Sequence, residues 1–239
     1  MKLEKKLADL AVVIPVYNEE KNIEDCIESW MRALTDLGIN YRLIVLNDGS
    51  RDATKHVLDK FSHMKSLHIV DKDNEGHGPT ILRGYHQASE EAEWVFQVDS
   101  DNELPAGTFH TFWNARHEKS AVLGFRVGRE QSFVRRSISR IARIFTRLFY
   151  SCGLKDVNIP YRLIRSDVLG PIIALIPDDT FAPNVAISGA LAKTGTAIRE
   201  LPVPFEPRTH GVASLNDFSA FTNAVRSFFQ LARISRSFA

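Results

Sequence analysis

Over the first 130 residues the apolar positions come in short, unbroken blocks: AVVIPV, YRLIVL, LHIV, WVFQV and AVLGF. Blocks this short, rich in Val, Ile and Phe, predict β-strands. Because apolar residues dominate each block without strict alternation, the strands are expected to be covered on both faces. Between them, the stretches near Glu20–Thr35, Asp52–Phe61, Pro79–Glu91 and Pro105–His117 carry helical spacing or a helix start signal. Strands alternating with helices predict crossover units and an α/β fold with a parallel sheet. Ligands of such sheets bind beyond the carboxyl ends of the strands. The segments to read for chemistry are therefore PVYNEE, NDGS, DKDNEGHG, DSDNE and FRVGR.

The pattern changes after Arg129. REQSFVRRSISRIARIFTRLFY predicts a helix, followed by NIPYRLIRSDVLG, a proline-bounded stretch near IPDDTFAP, and a strand in IRELPVPF. From Asn216 onward, Phe218, Phe221, Val225, Phe228 and Ala232 recur at spacings of three and four, an amphipathic helix. Residues 202–211 read as a loop and not as an interdomain hinge. The expected organisation is one compact domain with two halves, 1–130 and 131–239.

Composition changes this picture little. A chain of 239 residues, 44% hydrophobic and 25% charged, can bury a sizeable core. A net charge of +1 argues against a nucleic-acid binder that works through a global positive field. Cys26 and Cys152 match no zinc or redox spacing and read as thiols of a reducing compartment. The N-terminal MKLEKKLADLAVVIPV does not resemble a secretory signal, and no stretch approaches the roughly 20 apolar residues of a membrane span. The expectation is a cytoplasmic protein that does not cross a bilayer but is free to lie on one.

The chemistry concentrates at DSDNE. Asp99 and Asp101 would share one side of a continued strand, and like charges there repel. A divalent cation relieves that repulsion, and Mg²⁺ or Mn²⁺ is served by a few carboxylate oxygens plus substrate phosphates. Asp101 and Glu103 are candidate metal ligands, and Asp99 a candidate for the metal or a ribose. The same residues also suit a capped turn before Pro105. Beyond the first strand, Glu19 is a candidate acceptor for a base or ribose hydroxyl, while Asn18 and Glu19 equally suit a helix cap and first-turn acid. Asp48 follows the second strand in an Asp-Gly turn, and NEGHG opens a helix whose amides suit a phosphate.

VVIPVYNEE, LNDGSRDAT, NEGHG…GYHQA and VDSDNE, in this order, resemble the inverting glycosyltransferases of family 2. The resemblance implies a GT-A fold, a nucleotide-sugar donor and a cation at the D-x-D pair Asp99 and Asp101. It puts Pro15, Tyr17, Glu19 and Asp48 around the nucleotide, Glu103 on the metal side, and Arg208 over the diphosphate. Asn47 departs from the pattern, since many relatives carry a second Asp there. With a cation and a guanidinium steadying the leaving diphosphate, catalysis would be mostly electrostatic. His210 reads as a surface residue.

The second half resembles the dolichyl-phosphate mannose synthase branch through GFRVGR…RRSISRIARIF and DVNIPYRLIRSDVL. That likeness implies that Arg126, Arg135 and Ser139 meet the phosphate of a polyprenyl acceptor. Independently, Arg136, Arg140, Arg143 and Arg147 share one helix face opposite Ile138, Ile141, Phe145 and Leu148. Such a helix can rest on an anionic membrane, with about 1 kcal/mol per cationic residue, or pack on the sheet with its arginines solvated. The Phe-rich tail suits core packing or a partner protein. Asn184 stands about where hydroxyl-transferring relatives carry a base, with Asp178 and Asp179 as neighbouring candidates. An ionised phosphate needs no base.

The expectation is therefore a metal-dependent hexosyltransferase using a GDP- or UDP-linked sugar and a polyprenyl phosphate at the cytoplasmic membrane face, with a membrane protein as a candidate partner. The rivals are a family 2 enzyme with a glycan or soluble hydroxyl acceptor, and a non-catalytic nucleic-acid binder.

Overall fold

The computed structural model describes residues 7–128, 147, 153–207, 227 and 229–238. The five apolar blocks form strands β1 (Ala8–Val16), β2 (Tyr41–Asp48), β3 (Leu67–Lys72), β4 (Ala92–Val98) and β5 (Ala121–Val127). Two more follow, β6 (Tyr161–Arg165) and β7 (Ile198–Pro204). The helices between them are α1 (Ile23–Asp36), α2 (Thr54–Asp59), α3 (His77–Glu91), α4 (Phe109–Ala115), α5 (Ser166–Ile173) and α6 (Pro183–Lys193).

Together the strands form one sheet in the order β3-β2-β1-β4-β6-β5-β7. β1, β2, β3 and β4 run parallel, β6 is antiparallel to both of its neighbours, and β5 and β7 are parallel. The sheet is mostly parallel, as the alternation predicts. After β3 the chain returns to the far side of β1 to form β4, so the connections reverse direction between β1 and β4. That is the switch point where an open α/β sheet leaves a crevice.

Both faces are covered, which accounts for the continuous apolar runs. Leu10, Val12 and Ile14 of β1 pack with α1, while Ala11 and Val13 pack on the α3 side. On the α1 side, Phe96 sits at the centre of an aromatic cluster, 4.8 Å from Phe109 and 4.7 Å from Tyr161 between ring centroids, with Trp30 5.1 Å away. Edge-on aromatic pairs of this kind contribute about 0.5–1.5 kcal/mol each beyond their buried area. Cys26 belongs to the same core, and burial together with the nearby Asp101, Glu19 and Asp99 charges pushes its thiol up, away from the reactive thiolate.

α3 lies close on the sheet because Gly84 has no side chain. A Cβ there would stand 2.3 Å from Val13 Cγ1 and 2.9 Å from Leu46 Cδ1. Gly84→Ala gains about 1 kcal/mol of helix propensity, but overpacking against two buried strand residues costs about 1–3 kcal/mol. A lowered urea midpoint is the expected result; an unchanged or raised midpoint would mean that the helix shifts freely on the sheet.

Among the described residues no helix is long and apolar enough to cross a membrane. Most of the arginine-rich helix expected near residues 131–147 lies outside the described residues; Arg147 is helical and exposed. The predicted tail helix is described only toward its end, where residues 229–236 are helical and Leu231 and Ile234 join the core on the α3 side.

Candidate active site

β4 ends at Val98, and the next five residues turn sharply with Asn102 in the left-handed region at φ 57°. Asn is among the few residues that tolerate this conformation. The Glu103 amide donates to Asp101 Oδ1 at 3.1 Å, and Asn102 Nδ2 donates to the Asn22 carbonyl at 3.3 Å. The turn is also held from the second half of the chain. The Glu206 amide donates to the Glu103 carbonyl at 2.9 Å, and the Tyr161 hydroxyl donates to the Pro105 carbonyl at 3.0 Å. Asp99, Asp101 and Glu103 are thus fixed at the carboxyl end of β4, beside the switch point. The turn and the acidic cluster coexist, so the two readings of DSDNE are not exclusive.

Burial raises the Asp99 carboxyl, and repulsion from Asp101 and Glu103 adds to it. The nearby His77 and Arg126 pull the other way, and the balance is a value of about 6. His77 Nε2 lies 3.7 Å from Asp99 Oδ1. The imidazole reaches that position from the first turn of α3, where the chain enters through Gly76 at φ 96°.

The loops after β1 and β2 are laced together. Asn18 Oδ1 accepts from the Arg51 amide at 2.7 Å, the Glu19 amide donates to Thr54 Oγ1 at 2.8 Å, and the Ala53 amide donates to Glu20 Oε2 at 2.8 Å. Asn18 and Glu19 therefore do not act as cap and first-turn acid of α1. That helix starts at Ile23, and its first-turn acids are Glu24 and Asp25. Pro15 is buried at the end of β1, Tyr17 is exposed just beyond it, and Glu19 Oε2 accepts from Asn22 Nδ2 at 2.6 Å.

Asp48 ends β2 with its carboxylate engaged. Lys72 Nζ contacts Oδ1, the Glu75 amide donates to Oδ1 at 2.9 Å, and the Gly76 amide donates to Oδ2 at 3.0 Å. Burial opposes this charge, but the Lys72 and Glu75 hydrogen bonds and the Lys72 charge outweigh it and hold the carboxyl below its usual value. Asp48 thereby shapes the loop that leads to His77. Asn47, the departure from the family pattern, donates to Asp71 Oδ1 at 2.8 Å and accepts from the Ser50 amide at 3.2 Å.

On the acceptor side Arg126 is the penultimate residue of β5. It ion-pairs with Asp156 at 3.1 Å and donates to the Asn158 carbonyl at 3.3 Å. Its charge is felt at Asp99. The structure therefore brings the D-x-D carboxylates and Arg126 to one place. Arg135, Ser139, Arg208 and His210 lie outside the described residues.

The donor chemistry suits a hard divalent cation. Among the described residues no three His, Cys, Asp or Glu side chains gather into a closed metal cage. Mg²⁺ and Mn²⁺ need none, because they take one or two carboxylates and complete their shells with phosphate oxygens and water. Two like-charged carboxylates, one of them raised by burial, match that requirement.

A family model described as Glycosyl transferase family 2 matches residues 11–174. The chain belongs to this family. The undecaprenyl-phosphate 4-deoxy-4-formamido-L-arabinose transferase of Pseudomonas fluorescens (strain Pf0-1) is 25% identical over 206 residues, covering 84% of this chain and 58% of the relative. The enzyme of the same name from Edwardsiella ictaluri (strain 93-146) is 25% identical over 211 residues, covering 87% and 63%. The chain thus spans about three fifths of these relatives' length. Glucosyl-3-phosphoglycerate synthase from Mycobacterium tuberculosis, solved with Mn²⁺, UDP and phosphoglyceric acid, superposes with a TM-score of 0.70 at 17% identity, covering 95% of this chain and 78% of that one. This last likeness concerns the fold, and the GT-A expectation holds.

For this family 2 chain, sequence reading missed His77 and Gln97. NEGHG is read for the amides of a helix start, and not for the His77 side chain within it. Gln97 is the polar residue inside WVFQV, and its inward direction was the available signal.

Proposed function

We propose that this family 2 chain transfers a hexose from a nucleoside diphosphate donor to the phosphate of a polyprenyl lipid, with a divalent cation held by Asp99 and Asp101. The observation that carries this reading is the carboxylate pair at the end of β4, fixed beside the β1–β4 switch point and within the field of Arg126. When bound, Mg²⁺ or Mn²⁺ would offset the charge that develops on the leaving diphosphate. Glu103 stands on the metal side. Pro15, Tyr17 and Glu19 border the nucleotide, and Asp48 holds the loop that closes beside it. Arg208 covers the diphosphate. UDP is the nucleotide to test first, since the structural neighbour was solved with UDP, with GDP beside it.

A lipid phosphate acceptor is supported by the names of the curated relatives and by an amide in place of a carboxylate at position 184. Asn184 is a buried amide that accepts from Tyr85 and donates to Gln97, so it offers no carboxylate to a hydroxyl acceptor. Arg126, with Arg135 and Ser139, receives the acceptor phosphate. The protein works as a peripheral protein on the cytoplasmic membrane face, resting on its arginine-rich segment after Arg129 and assisted by a membrane partner. The phosphoglyceric acid in the complex of the structural neighbour favours the rival reading of a hydroxyl acceptor.

Incubation with labelled UDP- or GDP-hexoses and Mn²⁺ separates these readings. The expected product is organic-extractable, and forms with polyprenyl phosphate but not with simple saccharides or phosphoglycerate. Product formed only on the hydroxyl compounds would overturn the lipid acceptor.

A further inference from the structure

Asp99 is held by a chain of buried polar groups that the sheet had no packing reason to contain. Gln97 shares a strand face with Val95, and Val95 packs into the core on the α3 side. Leu or Val at position 97 would continue that face without a polar group to satisfy. Gln97 is nonetheless fully buried, and burying an amide is costly unless its partners are supplied. They are supplied in series. Gln97 Nε2 donates to Asp99 Oδ1 at 2.9 Å, Asn184 Nδ2 on α6 donates to Gln97 Oε1 at 3.0 Å, and the Tyr85 hydroxyl on α3 donates to Asn184 Oδ1 at 3.2 Å. Tyr85 and Asn184 are buried as well. The Asn184 main chain is pinned in turn, its carbonyl accepting from Arg162 Nη1 at 2.9 Å.

The direction of the chain follows from its end. An ionised Asp99 accepts only, so Gln97 must turn its NH₂ toward it and its oxygen toward Asn184. That fixes the Asn184 amide, and the Tyr85 proton satisfies the oxygen left over. Three elements, β4, α6 and α3, thus set the rotamer of one carboxylate.

We propose that Gln97 is a positioning residue for Asp99, with its amide set by Asn184 and Tyr85, so that Oδ1 is tethered and Oδ2 faces the cation and the donor. This rests on Asp99 being a cation-facing carboxylate. Partners that orient a metal-binding side chain are typically worth about 10–100-fold in metal affinity or activity.

The test is Mn²⁺ affinity, measured by electron paramagnetic resonance in the presence of UDP or GDP, alongside kcat and melting temperature. Gln97→Met keeps the length of the side chain and removes the donor; binding about tenfold weaker or more is expected, with a lowered kcat at saturating donor sugar. Tyr85→Phe, which removes a single oxygen, is expected to weaken Mn²⁺ binding in the same direction by less. Combined, the two changes should give little more than Gln97→Met alone, because they act through one chain. Additive losses of melting temperature with unchanged Mn²⁺ affinity would assign the chain a packing role and overturn the proposal. Should Gln97→Met fail to fold, Tyr85→Phe decides: weaker Mn²⁺ binding sustains the inference and wild-type binding overturns it. Wild-type protein that binds no Mn²⁺ with either nucleotide would bring down the cation reading and this inference together. Wild-type protein that binds it, with both variants unchanged, would remove the inference alone.

Discussion

Asp101→Asn is expected to lower sugar transfer by about 10²–10³-fold or more, the loss typical of removing one preorganised electrostatic group from a site where charge develops. Asn is the informative substitution because it retains an oxygen in the Oδ1 position. The Glu103 amide keeps its acceptor, and the turn through Asn102 has no reason to change. What disappears is one negative charge, itself buried, from a partly buried cluster in which Asp101 raises the Asp99 carboxyl. Fewer like charges repel, so the melting temperature should hold or rise slightly while turnover collapses. Stability and activity moving in opposite directions would be the signature of charges kept together for a ligand. Transfer assays over a Mn²⁺ titration, with thermal melts of both proteins, provide the check. Wild-type turnover by the Asn variant would mean that the cation is held elsewhere or not at all.

Why the acidic cluster was legible and its support was not is a matter of distance along the chain. β1 to β5 could be read directly, because a strand covered on both faces writes itself as a local apolar run. The D-x-D carboxylates were legible because three acids after such a run have no packing explanation. β6 was harder. YRLIR lies between a proline-bounded loop and a helix, and its insertion between β4 and β5, antiparallel to both, depends on contacts with residues more than 60 positions away on the β4 side. The same limit hid the roles of Asn18 and Glu19, which look like a helix cap from their neighbours in sequence but bond to the 50–54 loop. Asp48 read as an Asp-Gly turn. Only the tertiary structure shows its carboxylate gathering Lys72 and the amides that lead into α3.

The two halves of the chain also meet through main chain, at a contact that neither segment announces. Gln230 near the C-terminus accepts from the Phe181 amide at 3.1 Å and donates to the Asp179 carbonyl at 3.2 Å. The next carbonyls, Thr180 O and Phe181 O, press on Gly78, where a Cβ would stand 2.2 and 2.6 Å away. The start of α3, which carries His77, is therefore seated against the loop that precedes α6. Glycine is required there by contact with another backbone, not by its own dihedral angles. A sequence motif records the glycine, but the partner that demands it lies 102 residues further on.

Arg162→Met is expected to destabilise the protein by about 3–5 kcal/mol, the largest stability effect anticipated for a single substitution. Arg162 is fully buried on β6. Its guanidinium makes five hydrogen bonds: Nε and Nη2 to the Ile159 carbonyl at 3.0 and 2.9 Å, Nη2 to the Val157 carbonyl at 3.2 Å, Nη1 to the Asn184 carbonyl at 2.9 Å, and Nη1 to Ser188 Oγ at 3.3 Å. Two effects compete. Removing a buried charge relieves its desolvation, and apolar replacements of buried ions can be neutral or stabilising when the partners go with them. Here the partners are mostly main-chain carbonyls, which stay. Each buried acceptor left without a donor costs about 1–3 kcal/mol; the Val157 carbonyl keeps the Ser188 hydroxyl at 2.8 Å, but the Ile159 and Asn184 carbonyls lose their guanidinium donors, so the lost hydrogen bonds win. Against a typical total of about 5–15 kcal/mol, such a loss should move the urea midpoint sharply. Activity should fall by more than the folded fraction does, because Arg162 anchors the 157–159 segment whose Asn158 carbonyl receives Arg126. It also holds the backbone of Asn184, at the head of α6. A variant as stable as wild type would show that water or rearranged main chain serves those carbonyls, and that Arg126 is placed by Asp156 alone.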